Sequence, residues 1–199
     1  MAGVVVLYED HRAAGPSGRS FALHILLMAL VGDRRGVDAG VLPHGAGVRS
    51  IPKGGVDNVL SALFHDYDLL TPGGVAVGIV DADRLAEHVR RGWVRDLPAG
   101  ADAATACAAF IASHPAPARV RLLPLDANLE SVIRGIGDCD KALPAAVLKA
   151  ALDKRTGMQD RERVLQRAAA GARAVRDCLG GRVPSVNIVA DTLHGLIPA

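Results

Sequence analysis

The stretch Val75-Ala76-Val77-Gly78-Ile79-Val80-Asp81-Ala82-Asp83 decides the fold. Residues 75–80 carry no charge and are rich in β-branched side chains, the composition of a strand buried on both faces of a parallel sheet. The turn Thr71-Pro72-Gly73-Gly74 precedes it, and a helical pattern over 84–93 comes after it. Two other runs share this texture. Residues 3–8 (GVVVLY) end at Glu9-Asp10, and residues 119–125 (RVRLLPL) end at Asp126.

Helical patterns separate these runs. Ser20 is placed to cap a helix over about 21–31 that is apolar nearly all round, and therefore expected to pack on more than one side. Residues 37–55 read as one or two short strands closing in the turn Pro52-Lys53-Gly54-Gly55, after which Asp57 opens or caps a helix over 58–66. An alanine-rich helix is expected at about 102–113, and another opens at Asn128-Leu129-Glu130. Strands alternating with helices predict an α/β fold, a mostly parallel sheet flanked by helices.

Beyond Gly135 the texture changes. Residues 143–153 and 158–179 read as amphipathic helices, the second rich in arginine and broken by Gly180-Gly181; Pro184 then permits a last helix through Leu196. The expected organisation is an α/β core over 1–135 and a helical extension over 136–199 packed on that core.

The chain has 199 residues, 50% hydrophobic and 22% charged, which excludes disorder. A chain of this length buries roughly 70% of its unfolded surface and needs no staple to fold. Only 3% is aromatic, too little for a base-stacking platform. The formal charge of +2 gives no whole-chain field that selects nucleic acid. Cys107, Cys139 and Cys178 are odd in number and fit no metal-ligand spacing, so they are expected to be buried or incidental thiols, in neither a disulfide framework nor a zinc site. No apolar run is long enough to span a bilayer, and the N-terminus lacks a secretory pattern. The expected location is cytoplasmic, with no membrane partner.

Ligands of parallel sheets sit outside the carboxyl ends of the strands, and the acids lie there: Glu9, then Asp81 and Asp83, with Glu130 just past the last strand. Carboxylates brought together repel, and a hard cation such as Mg²⁺ offsets that repulsion; it takes one or two carboxylates, waters and phosphate oxygens. Such an ion can polarise a phosphoryl oxygen and activate water. Each residue also has a plainer reading. Asp83 can be a helix N-cap, Glu9-Asp10 a solvated strand exit, and Glu130 a first-turn carboxylate favoured by the helix dipole.

The order strand-Glu9, helix, Lys53-Gly54-Gly55 turn, helix, strand-Asp81-x-Asp83 resembles the TOPRIM domain of topoisomerases, primases, recombination-repair proteins and OLD-family nucleases. The resemblance covers about residues 3–130, with VVVLYE, KGGVDNVL and VAVGIVDADR as its matching stretches; the tail of the chain is more similar to small stand-alone bacterial TOPRIM-like proteins. The resemblance implies a divalent-metal-dependent phosphodiester hydrolase, nuclease-like, of the kind used in DNA repair or phage defence. Glu9, Asp81 and Asp83 would be the catalytic and metal-binding residues, with Mg²⁺ or Mn²⁺ as cofactor; apart from the resemblance, Glu130 can be a further ligand or an ordinary first-turn carboxylate. Two departures stand out: Glu9 is followed by Asp10 where the family has Gly, and the long loop HRAAGPSGRS precedes the first helix. No tyrosine is placed for topoisomerase chemistry, and no Walker motif is present, so an OLD-type machine would need an ATPase or other protein partner.

Lys53, Gly54, Gly55 and Arg84 are candidate substrate-binding residues. The glycine turn can present N–H groups and a cation to phosphate, or serve only as a turn. Arg84 can neutralise a phosphate, or pair with Glu87 one helical turn on. His11, two residues past Glu9, is the histidine nearest the acids. Lys154, Arg155, Arg161, Arg163 and Arg173 form a basic segment that either meets a nucleic-acid backbone or makes a solvated face. The alternative to a hydrolase is a non-catalytic TOPRIM-like interaction subunit of a larger assembly. Aromatic poverty predicts that any nucleic acid is held by its backbone.

Overall fold

The computed structural model describes residues 3–9, 22–37, 48–125, 128–153 and 157–197. Expectations for Asp10, His11, the 10–19 loop, the Ser20 cap, Asp126, Lys154 and Arg155 lie outside these residues. The protein is α/β, with four parallel strands in the order β2-β1-β3-β4: β1 Val4–Tyr8, β2 Val48–Pro52, β3 Val75–Asp81 and β4 Val120–Leu125. All five residues of β1 and Ala76–Val80 of β3 are buried, as uncharged β-branched runs require at the centre of a sheet. The register sets Tyr8 beside both Pro52 and Ile79, and Asp81 beside Leu125, so the strands finish at one level.

Between the strands run α1 Ala22–Arg35, α2 Val56–Ser61, α3 Tyr67–Leu70, α4 Leu85–Gly92 and α5 Ala103–Ser113; after β4 come α6 Leu129–Cys139, α7 Ala145–Ala151, α8 Met158–Ala170, α9 Arg173–Arg182 and α10 Pro184–Leu196. The residues fall into two compact units. Of the described residues, one holds 3–9, 48–125 and 196–197; the other holds 22–37 and 128–195. Among the described residues no helix is long and apolar enough to cross a membrane.

In the first unit, Val5, Leu7, Ala76 and Val80 of the sheet form one core with Val59, Leu60 and Leu63, with Leu85 and Val89 of α4, and with Phe110 of α5. Gly78 lets α2 and the chain just after it lie close on β3, since a Cβ there would stand 2.7 Å from Leu63 Cδ1 and 2.8 Å from Val59 Cγ1. The helix expected over 58–66 passes from α2 through a π-turn, Ala62–Asp66, into α3. His114 fastens this turn. Its Nε2–H donates to Leu63 O (3.0 Å) and its Nδ1 accepts from Ala116 N–H (2.9 Å), which fixes the neutral tautomer. Phe64 packs on Trp93, His114 and Phe110 at 4.9, 5.0 and 6.0 Å between ring centres, so several of the few aromatic rings are spent on one another.

In the second unit α1 packs on α8, with Leu26, Leu27, Met28, Leu30 and Val31 buried, matching the all-round apolar pattern. The single arginine-rich helix expected over 158–179 is two helices: α8 ends at Ala170, with Gly171 as its C-cap. The guanidinium of Arg176 explains the break. It donates to the carbonyls of Ala169 (2.9 Å) and Gly171 (2.6 Å) at the end of α8 and to both oxygens of Asp33 on α1 (2.5 and 2.8 Å). The expected breaker, Gly180-Gly181, lies inside α9. Gly180 is needed there for space, since a Cβ would come within 2.3 Å of the Asn187 side-chain amide on α10. The cysteine expectation is also corrected. Cys139 at the end of α6 and Cys178 on α9 form a disulfide, Cα atoms 5.8 Å apart, because the packing of these helices brings together residues 39 apart in sequence. Only Cys107 is a free, buried thiol, and burial pushes it up to about 12.

Candidate functional site

The carboxyl ends of β1 and β3 converge as the spacing predicts. Glu9 continues the ladder by donating its N–H to Ile79 O (3.2 Å), and its Oε2 accepts the N–H of Asp81 (2.8 Å). Glu9 is thereby tied to the strand end that carries Asp81, with Asp83 two residues on. The Lys53-Gly54-Gly55 turn is stitched to the same edge: Lys53 N–H donates to Tyr8 O (2.8 Å) and Gly55 N–H to Glu9 O (2.6 Å). Gly54 and Gly55 have φ of 71° and 120°, the left-handed region that glycine supplies without strain. Two of the turn's three amides are thus committed to carbonyls at the end of β1 rather than to an anion.

Asp83 is not the cap of α4. That position is Arg84, at φ 64°, with no side-chain cap bond. Arg84 is the one residue other than glycine at positive φ among the described residues. Its guanidinium stands 3.9 Å from Glu87, both side chains well exposed, a pair of little energetic weight. Glu130 belongs to the second unit. It sits in the first turn of α6, whose N-cap is Asn128, and is paired with Arg161 at 2.9 Å. Arg163 pairs with Asp160 (3.3 Å) and Arg173 with Asp177 (3.6 Å), so the described arginines of the expected basic face, Arg161, Arg163 and Arg173, are answered by carboxylates.

The donors at the strand ends are all carboxylate oxygens, which suit a hard divalent cation. Among the described residues no three His, Cys, Asp or Glu side chains gather as a metal-binding group. An ion at this edge would have to be held by one or two protein carboxylates and completed by water, the arrangement Mg²⁺ ordinarily takes.

A second cluster at this edge is absent from the sequence-based expectations. Asp57 in the first turn of α2 accepts from His88 Nδ1 (2.8 Å) through Oδ1 and from Arg91 Nη2 (3.2 Å) through Oδ2, both on α4. His88 and Arg91 are three apart on one helix, which is legible; their link to a residue 31 positions upstream is not.

The fold and edge define an α/β protein with a parallel sheet and an acidic strand-end edge. No protein-family model matches the chain, and no curated protein matches it in sequence. Among solved structures it is similar to the C-terminal region of the Xanthomonas campestris pv. campestris OLD protein. The platinum-phased structure is 12% identical, covers 98% of this chain and 97% of that one, and has a TM-score of 0.37. The iodine-phased structure is 13% identical, with coverages of 96% and 97% and a TM-score of 0.34. Likeness at this level is coarse and carries no argument for activity.

Proposed function

We propose that the protein is a divalent-metal-dependent phosphodiester hydrolase, with Glu9, Asp81 and Asp83 as its acidic centre and Lys53 and Arg84 as phosphate contacts. The observation that carries the reading is the 2.8 Å bond from Asp81 N–H to Glu9 Oε2, which fixes the first-strand carboxylate against the Asp-x-Asp strand end. A bound Mg²⁺ or Mn²⁺ would polarise a phosphoryl oxygen and lower the pKa of an attacking water. Asp81 and Asp83 would supply its oxygens, and Glu9, held to the same strand end through the Asp81 N–H, would act on the ion or its water. Glu130, held by Arg161, would have to leave that pair to act as a ligand.

The test is Mg²⁺- and Mn²⁺-dependent cleavage of single- and double-stranded DNA and RNA by the full chain. Asp81→Asn keeps the backbone N–H that holds Glu9 and should lower the rate at least about 100-fold. Cleavage unchanged in Asp81→Asn, or absent from the wild type under every metal, refutes the hydrolase. One observation favours the second reading, a non-catalytic interaction subunit: Glu9 already has a structural role at the β1 exit. Calorimetry finding no Mg²⁺ or Mn²⁺ binding would decide for it. A cytoplasmic location belongs to the same proposal. A Cys139–Cys178 bond that persists in alkylated whole-cell extracts would count against it, because the cytosol keeps thiols reduced.

A further inference from the structure

Helix α4 begins just past the Asp81–Asp83 strand end; it carries His88 and Arg91 three apart on one face, and Arg84, four residues before His88, is its left-handed N-cap. At 1.5 Å per residue His88 and Arg91 are spaced about 4.5 Å along the axis, with Arg84 at the helix start. Leu85 and Val89 take the buried side. The side chains of Arg84 and Arg91 are 79% and 63% exposed. Asp57 sets the far end of this group, one carboxylate oxygen on His88 Nδ1 and the other on Arg91. Both helices are tethered to the acidic edge: α4 comes directly after Asp83, and Gly55, two residues before Asp57, is bonded to the Glu9 carbonyl.

Charge separates this helix from the other arginine-rich one. On α8, Arg161, Arg163 and Arg167 meet Glu130, Asp160 and Asp140. Arg84 and Arg91 meet Glu87 and Asp57 in exposed pairs, but residues 84–92 set three arginines against one acid of their own, Glu87, where α8 sets three against Asp160 and Glu162, and Arg90 meets no carboxylate among the described residues. With Phe64, Trp93 and Phe110 packed on one another, attachment through stacked bases has little to work with.

We propose that the Arg84–His88–Arg91 stripe grips the sugar-phosphate backbone of a polynucleotide strand beside the acidic edge, with Asp57 holding His88 and Arg91 in place until phosphate replaces it on Arg91. This rests on the phosphodiester reading and narrows it. A small phosphate ester presents one phosphate, whereas a stripe of this length is matched by a strand presenting several.

The experiment measures binding of the full chain to a fluorescein-labelled single-stranded DNA of about 20 nucleotides, by anisotropy in EDTA, from about 50 to 200 mM salt. Arg84→Ala and Arg91→Ala should each weaken binding about 5-fold at the low-salt end and flatten the log–log salt slope by about 0.7. Arg91→Lys should keep the slope, and Arg163→Ala on α8 should change neither. Melting curves establish that each variant is folded, and Arg84→Ala stands in if Arg91→Ala is not. Wild type that does not bind, arginine variants that bind with unchanged slope, or an Arg163→Ala loss as large as theirs would overturn the proposal. Because no metal is present, a wild type that binds through the stripe but never cleaves refutes the hydrolase alone. One that cleaves while the stripe variants bind normally refutes the stripe alone.

Discussion

Replacing Arg176 with methionine removes the group that joins three helices of the second unit. The Arg176 side chain is 9% exposed and its partner Asp33 12%. The guanidinium makes two bonds to that carboxylate and two close ones to the last carbonyls of α8, and the ion pair raises its pKa further above the ordinary arginine value. Among the described residues Asp33's carboxylate has no other partner, so truncation strands a half-desolvated charge. Breaking a buried pair from one side costs about 3–5 kcal/mol, and leaving the helix-end carbonyls to water adds about 1 kcal/mol. Burial of the methionine returns about 1 kcal/mol. The expected net loss is about 3–5 kcal/mol, a large share of a total of about 5–15 kcal/mol. Urea unfolding followed by far-UV circular dichroism, with a slope of about 2–3 kcal/mol/M, should show the midpoint fall by more than about 1 M. The double variant Arg176→Met/Asp33→Leu replaces the pair by apolar groups and should recover at least about 2 kcal/mol relative to the sum of the singles. A single-variant loss under about 1 kcal/mol, or no coupling in the cycle, would refute this account of the α8–α9 break.

Burial lowers His24 on α1 to about 4, so the native state refuses a proton that the unfolded chain takes at about 6.5. Its contribution is fully present above about 6.5 and is lost as pH falls to about 4, about 3 kcal/mol in all; unfolding of His24→Gln should lack this slope, and parallel pH curves would refute it. Arg84→Gly relieves a left-handed residue worth roughly 1–2 kcal/mol but gives some back in chain entropy, so stability should rise by up to about 1 kcal/mol; a clear loss in urea unfolding would mean the side chain holds the turn. Cys107, pushed up to about 12, should resist thiol reagents near pH 8 in the folded protein and react once unfolded; labelling in the native state would count against its burial.

The strands were legible because buried parallel strands have an unmistakable composition. VVVLY, VAVGIV and RVRLLPL became β1, β3 and β4, with bounds shifted by a residue. The caps at Asp102 and Asn128 stem from their side chains, each accepting a backbone N–H three residues on. The approach of Glu9 to Asp81 came from placing acids at neighbouring strand ends. What pattern reading missed depends on partners distant in sequence. Gly171 ends a helix because Arg176 and Asp33 meet beside it, and Gly180 does not end one because Asn187 needs its space. The disulfide depends on two helices whose packing no local pattern encodes. Asp57 reads as an ordinary first-turn acid until α4 is set beside α2. The grouping of α1 with residues 128–195 could not be read from a cut at 135, since chain order says nothing about which helix buries which face.

That grouping has a cost in time. Helix α1 emerges early in synthesis, yet α8, the helix it packs on, is made about 125 residues later, a delay of about 6–25 s at ordinary translation rates. Through that interval an apolar helix waits without its partner, so slow or stalled synthesis in the middle of the gene should show up as aggregation rather than as a shortened, folded product.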